Sequence, residues 1–324
     1  MPPAPPPFDP VADEVLVVGD EVAAAQAAGR PVVALESTIF SALGLPAPAS
    51  GECLRRCEAA VRAGGAVPAL TGVLDGRAVV GAEGDAAERL LAATHKVAAR
   101  DLAVAVASGL EAGVTTVSAS VTLAAAAGVA VFATGGIGGV HRGAAVTGDV
   151  SHDLVALARH PVVTVSAGAK AFLDLPRTLE LLETLGVPVV GWRTDRFPAF
   201  YVRDGGLGVP HRADDAATVA RLVRAQAALG HPGGVLVVNP VPAEAELDPR
   251  VVEAAIDSAL ADAADVVGPE VTPRVLAAIA AATGRASVDT NVALAESNAA
   301  VAAAIAGALA AGESPRLADG VDVG

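Results

Sequence analysis

The chain has 324 residues, 53% of them hydrophobic and 18% charged, so a sizeable core is available and global disorder is excluded. A net charge of −14 and an aromatic content of 2% argue against nucleic-acid binding, since no basic face can meet a phosphate backbone and too few rings exist to stack bases. The longest stretch without a charge or a histidine, residues 112–140, has the length of a membrane span. Its Ser and Thr residues and the break at Gly135-Gly136 read instead as a small-residue helix followed by a buried strand, so no membrane partner is expected.

The first residues, MPPAPPPFDP, carry neither a basic residue nor an apolar core segment and are no secretory signal; residues 1–11 read as a solvated Pro-rich tail. A helix is predicted over 14–28 and a strand at PVVALE, 31–36. Cys53 and Cys57 lie one turn apart on a predicted helix, 49–63, without further soft ligands nearby, the pattern of reduced thiols in a cytoplasmic protein. Strands at 67–74 and 78–80 flank Asp75-Gly76, a hairpin signal. Next come a helix at 85–93, a strand at LAVAVAS (102–108), a helix at 117–127 and a strand at 129–136. Helices at 151–159, 171–185 and 214–229 then alternate with strands at 162–167, 187–192 and 234–240. Helices at 248–263, 273–282 and 291–311 precede a short tail, 313–324. Most of the strands are apolar throughout, as strands buried on both faces must be. The alternation predicts an α/β protein: a single three-layer α/β/α domain, residues 12–312, with a mostly parallel central sheet and one antiparallel hairpin.

In such folds chemistry collects at the carboxyl ends of the strands. Glu36 ends one strand there, the loop Thr134–Gly143 (TGGIGGVHRG) follows another, and SAGAK, ending at Lys170, follows a third. The glycines of the middle loop would let backbone N–H groups approach a phosphate. The chain has only two lysines, Lys96 and Lys170, against twenty arginines. Arginine replaces lysine freely on a solvated surface, but it cannot lose its proton, so the surviving lysines are candidates for chemistry that needs a free amine. Asp149 and Asp153 in GDVSHDL can cap a helix or, through a carboxylate and several waters, hold Mg2+ or Mn2+.

Longer blocks of the sequence resemble a known family. ALEST (34–38), GAVPA (65–69), VLDG (73–76), KVAARDL (96–102), TTV (115–117), VFATGGIGGVHRG (131–143), DVSHDL (149–154), AGAK (167–170), LDLPRTLE (173–180), LETLGVPVVG (182–191), FPAFY (197–201) and NPVP (239–242) are similar to blocks of the pseudouridine-5′-phosphate glycosidases. The resemblance runs from about Glu14 to Ala311. It implies a cytoplasmic homotrimer of α/β/α subunits that uses a divalent cation, typically Mn2+, with Mg2+ as the other option. The implied reaction is reversible cleavage of the C–C glycosidic bond of pseudouridine 5′-phosphate to uracil and ribose 5-phosphate. Residue by residue, it implies Glu36 as proton donor, Lys170 as nucleophile and Asp149 as metal ligand. It places Lys96, Val117, Ser151, His152 and Asp153 at the substrate and maps a further site contact to Asn291; Thr134 and His141, in the Gly-rich loop at a strand end, are candidate contacts to the phosphate or the site. His152 stands where an Ala is usual, Ser120 where a Thr is more usual, and WRTDR (192–196) departs from the common pattern.

The chemistry accounts for these residue types. A C–C glycosidic bond has no leaving heteroatom to protonate, so paired carboxylates alone do not suffice. An acid such as Glu36 can protonate the ribose ring oxygen, provided burial keeps it protonated near neutrality. A neutral Lys170 amine can then add at C1′. Two other readings use the same residues: a Schiff-base lyase or aldolase acting on another sugar phosphate, and a catalytically silent sugar-phosphate-binding protein. Intact Glu36, Lys170 and Asp149 count against the latter.

Overall fold

The computed structural model describes residues 15–262 and 271–312. The two predicted tails, together with Glu14 and Ala263 at the ends of predicted helices, lie outside the described residues. The strands are β1 (Leu16–Val18), β2 (Val32–Leu35), β3 (Val67–Leu74), β4 (Arg77–Val80), β5 (Lys96–Val97), β6 (Ala112–Thr115) and β7 (Val131–Ala133). They continue as β8 (Val163–Ser166), β9 (Val189–Trp192), β10 (Arg196–Ala199), β11 (Val202–Gly208), β12 (His211–Ala213) and β13 (Val235–Val238).

The main sheet runs β1-β4-β3-β2-β7-β8-β13-β9-β12, and every pairing from β3–β2 to β9–β12 is parallel. β2, β8, β9 and β13 are buried along their whole length, which explains their unbroken apolar sequence. The long helix Ala286–Ala310 packs on helix Ala49–Ala63 and on β2, β7 and β8, whereas helix Val117–Ala126 packs on β2, β3 and β7 together with helix Asp153–Arg159. The sheet is therefore the middle of three layers, as the alternation of elements predicts. Full burial of a side chain such as Phe132 contributes about 1.5–3 kcal/mol, and the apolar core is continuous from Val22 to Ala306.

The Asp75-Gly76 turn joins β3 and β4 as an antiparallel hairpin, as predicted, with both turn residues at positive φ. β3 changes partners halfway along. Val67–Leu70 pair parallel to β2, while the second half pairs antiparallel to β4 on one edge and to β6 on the other. β10 and β11 form a separate antiparallel ribbon.

Two of the predicted elements differ from expectation, and strands β5, β6, β10, β11 and β12 are not among those predicted. LAVAVAS is not a strand: residues Leu102–Ala107 form a helix that buries Leu102 and Ala105, three apart, and leaves Val104 67% exposed. Alternating Ala and Val do not distinguish the two periods, and Asp101, whose carboxylate accepts from the Ala98 N–H at 3.2 Å, starts a turn there. The helix predicted from residue 14 begins only at Asp20, because Leu16–Val18 pair with β4 at the sheet edge. The run 112–140 divides into β6, a ten-residue helix and β7, so it contains no membrane-length helix. Among the described residues one helix, Ala286–Ala310, is long and apolar enough to cross a membrane, but its apolar face is committed to the core.

Candidate active site

A cavity of about 280 Å3 opens at the carboxyl ends of β2, β6, β7 and β8. Every site residue singled out in the sequence lines it: Glu36, Lys96, Val117 and Thr134 from four separate strand ends or the segments beside them, His141 and Asp149–Asp153 from the Gly-rich segment, Lys170, and Asn291 from the last long helix. Both lysines of the chain thus face one cavity. Many arginines instead form surface pairs such as Arg196–Asp204, 3.0 Å apart, each contributing about 0–1 kcal/mol.

Glu36 follows β2 and is buried. Burial pushes its carboxyl up to about 7, against the opposing pull of Lys170, of the hydrogen bond from Thr134 and of Lys96, while Asp153 adds to the rise. The Thr134 hydroxyl donates to Glu36 Oε2. Its N–H donates to Val165, and its carbonyl accepts from Asn298 Nδ2 at 2.8 Å. The Thr134 hydroxyl is thus engaged with the acid at the cavity wall.

The loop after β7 and the segment carrying Lys170 after β8 extend the sheet beyond its strands. Ala167 N–H donates to the Gly135 carbonyl, Ile137 N–H to Gly168 and Lys170 N–H to Ile137, at 2.9–3.1 Å. Lys170 is thereby fixed by backbone hydrogen bonds to the Gly-rich loop. Gly168 has φ +79°, and a Cβ there would lie 2.3 Å from the Pro198 carbonyl oxygen, so AGAK needs its glycine to let the β10–β11 ribbon approach. That ribbon delivers Phe200 to the cavity wall, a contribution the sequence reading missed.

Two N–H groups of the Gly-rich loop are taken up within the protein. The Gly138 N–H donates to Asp153 Oδ2 at 2.8 Å, and the Val140 N–H to Thr178 Oγ1 at 3.0 Å. A Cβ on Gly138 would fall 2.3 Å from Ser151 Oγ, so close packing is what requires glycine there. The other Asp153 oxygen accepts from the Ser118 N–H at 2.9 Å. Asp153 thus ties the Gly-rich loop to the start of helix Val117–Ala126, and both its carboxylate oxygens are occupied by protein. The Asn298 amide reaches the carbonyls of Thr134 and Gly135 and is itself held by Asn239 at 3.0 Å. Asn298 lies seven residues after Asn291 on the same helix, a spacing of two turns that could have marked it. The Asn291 Oδ1 is buried and has no hydrogen-bond partner among the described residues.

His141 Nδ1 stands 3.7 Å from Asp149 Oδ2, and its ring packs near Phe172. Burial holds the imidazole below its usual range, Asp149 opposes and Lys170 adds to the depression. Among the described residues no group of three His, Cys, Asp or Glu side chains forms a metal cage. The half-buried Asp149 carboxylate fits a hard divalent ion that keeps most of its shell as water, the habit of Mg2+ and Mn2+, and not a closed zinc site.

Comparison with known proteins agrees with this geometry. The model of the family "Indigoidine synthase A like protein" matches residues 21–308. The pseudouridine-5′-phosphate glycosidase of Methylobacterium nodulans is 52% identical over 278 residues, 85% of this chain and 82% of that protein. That of Myxococcus xanthus is 49% identical over 284 residues, 85% of this chain and 92% of its own. Among solved structures, a prealnumycin C-glycosynthase in complex with ribulose 5-phosphate superposes with a TM-score of 0.85 at 42% identity, covering 92% of this chain and 98% of that one. An indigoidine synthase A-like protein of Thermotoga maritima gives 0.83 at 34% identity, covering 91% and 97%. With identity near one half sustained across almost the entire folded domain, the chain belongs to the pseudouridine-5′-phosphate glycosidase family of enzymes.

Proposed function

We propose that this enzyme cleaves pseudouridine 5′-phosphate to uracil and ribose 5-phosphate through an imine on Lys170. The observation that carries the reading is the pairing, in one cavity, of a carboxyl raised to about 7 with a lysine fixed at the neighbouring strand end. Glu36 gives its proton to the ribose ring oxygen while the Lys170 amine adds at C1′, and the ring opens. The C1′–C5 bond then breaks, its electrons being taken up at C5 of the base, which is protonated as uracil leaves. Water hydrolyses the imine, releasing ribose 5-phosphate and restoring the amine. A relative solved in complex with ribulose 5-phosphate supports a pentose phosphate as the ligand class. The family resemblance also carries a cytoplasmic homotrimer with it as the expected state.

Release of uracil, followed by chromatography with pseudouridine 5′-phosphate and unphosphorylated pseudouridine in parallel, tests the reading. An aldolase or lyase of another sugar phosphate releases no uracil, and a silent binding protein turns over nothing.

Asp149 would hold the divalent cation, which supplies a positive charge beside the anionic substrate. Asp149→Asn is expected to lose most activity and to regain part of it in excess Mn2+. Full activity after chelation would remove the metal from the mechanism.

Lys96 lies on β5, which is paired with β6 beside Val114. As a fixed cation it should tolerate Lys96→Arg with partial loss, mainly as a raised KM. An unchanged KM with a collapsed kcat would instead make Lys96 a participant in the chemistry.

A further inference from the structure

We propose that four buried hydroxyls, those of Ser37, Thr71, Thr115 and Ser120, form a clamp that fixes the backbone on both sides of Glu36 and so aims its carboxyl. All four residues are fully buried, and none of them lines the cavity.

The clamp sits where β3 leaves β2. The last parallel pairing joins Leu35 to Leu70, and from Thr71 onward β3 pairs with β4 and β6. The ladder therefore ends one residue before Glu36, and side-chain hydroxyls take over. The Thr71 hydroxyl donates to the Leu35 carbonyl at 2.9 Å. The Thr115 hydroxyl lies 2.8 Å from Thr71 Oγ1, and those of Ser120 and Ser37 lie 3.0 and 3.1 Å from Thr115 Oγ1. One assignment of protons satisfies every member: Ser37 and Ser120 donate to Thr115, Thr115 to Thr71, and Thr71 to Leu35. Ser37 Oγ in turn accepts from the Thr115 N–H at 2.8 Å. The chain of donors starts on the residue after Glu36 and ends on the carbonyl of the residue before it. Thr38 extends the grip, since its N–H and its hydroxyl both reach the Thr115 carbonyl.

A hydrocarbon core could not do this. The Leu35 carbonyl would lose the Thr71 hydroxyl and Ser37 its bonds to Thr115, leaving Thr38 to hold the segment leading out of β2 to β6. With them, the acid faces Thr134, Lys170, Lys96 and Asp153 in one arrangement. A misplacement of reacting groups by about 1 Å costs on the order of 10²-fold in rate, so a positioning device here acts on turnover rather than on binding.

The inference rests on Glu36 as the acid, and its test separates the two ideas. Thr71→Val removes the hydroxyl at nearly constant volume, and Thr71→Ser restores it. With pseudouridine 5′-phosphate, Thr71→Val is expected to lower kcat by ~10-fold or more and leave KM within about twofold, with Thr71→Ser within about threefold of the parent. Infrared difference titration of the Glu36 carboxyl, assigned by its loss in Glu36→Gln, is expected to show a displaced midpoint in Thr71→Val and the parental midpoint in Thr71→Ser. Should Thr71→Val fail to fold, Ser120→Ala supplies the same readouts, with a smaller shift in kcat and midpoint. A parent that releases no uracil overturns the substrate reading and leaves the infrared titration to judge the clamp. An unmoved Glu36 midpoint in the folded variants, or a loss in Thr71→Val that the serine does not recover, overturns the clamp.

Discussion

Lys170→Arg keeps a positive charge on the loop after β8 and loses turnover by on the order of 10³-fold or more, with substrate still bound. The reason is chemical rather than steric. The reaction as proposed needs a free amine that becomes covalent at C1′, and a guanidinium stays protonated at any working pH. The loop itself is insensitive to the change, because its geometry comes from backbone hydrogen bonds between Ala167–Lys170 and Gly135–Ile137. Borohydride added during turnover of the parent enzyme should trap the imine as a ribose-phosphate mass adduct on the peptide that contains AGAK. An adduct on Lys96, or appreciable turnover by Lys170→Arg, would assign the nucleophile elsewhere.

Glu36→Gln preserves shape and the contact with Thr134 but has no proton to give, so turnover falls by at least ~10²-fold while binding persists. The raised carboxyl also sets the pH dependence. Below about 7 Glu36 holds its proton in the folded enzyme, and activity that depends on the acid form declines as pH rises through that value. The folded state binds this proton more tightly than an unfolded chain, whose carboxyl titrates in the usual range near 4.5. Between these two values the native state carries more protons, so this group makes stability fall with rising pH. In Glu36→Gln that component is absent. The melting temperature of the variant relative to the parent should therefore be higher at pH 8 than at pH 4, and the alkaline limb of its residual activity should lose the midpoint near 7. A parental pH profile with near-normal turnover would place the proton source outside Glu36.

The sheet was legible because its strands are buried on both faces. PVVALE and GVLVVNP read as strands with no context at all. LAVAVAS reads the same way and is a helix, since small apolar residues satisfy either period and only packing decides between them. β5, β10, β11 and β12 are short or rich in Gly and charge, so no alternation marks them. At the site, each residue singled out in the sequence lines the cavity, because ends of apolar strands followed by Glu, Lys or Gly-rich turns are visible in one dimension. What supports those residues was hidden. Asp153 reads as a substrate contact or a helix cap, and nothing local shows that its two oxygens also accept from the Gly138 and Ser118 N–H groups. Thr71, Thr115 and Ser120 come from three separate elements, and nothing local distinguishes them from ordinary Ser and Thr.

The helix Ala286–Ala310 closes the cavity with Asn291 and steadies its Gly-rich wall through Asn298. During synthesis it is the last described element to leave the ribosome. Chains grow at about 5–20 residues per second, so Glu36, Lys96 and Lys170 emerge several seconds before the helix that completes their surroundings. Until that helix docks on Ala49–Ala63, the lysine proposed to form the imine stands outside a finished pocket. Reactive competence therefore arrives late in the life of each molecule, as a property of the completed chain rather than of any early-folding part.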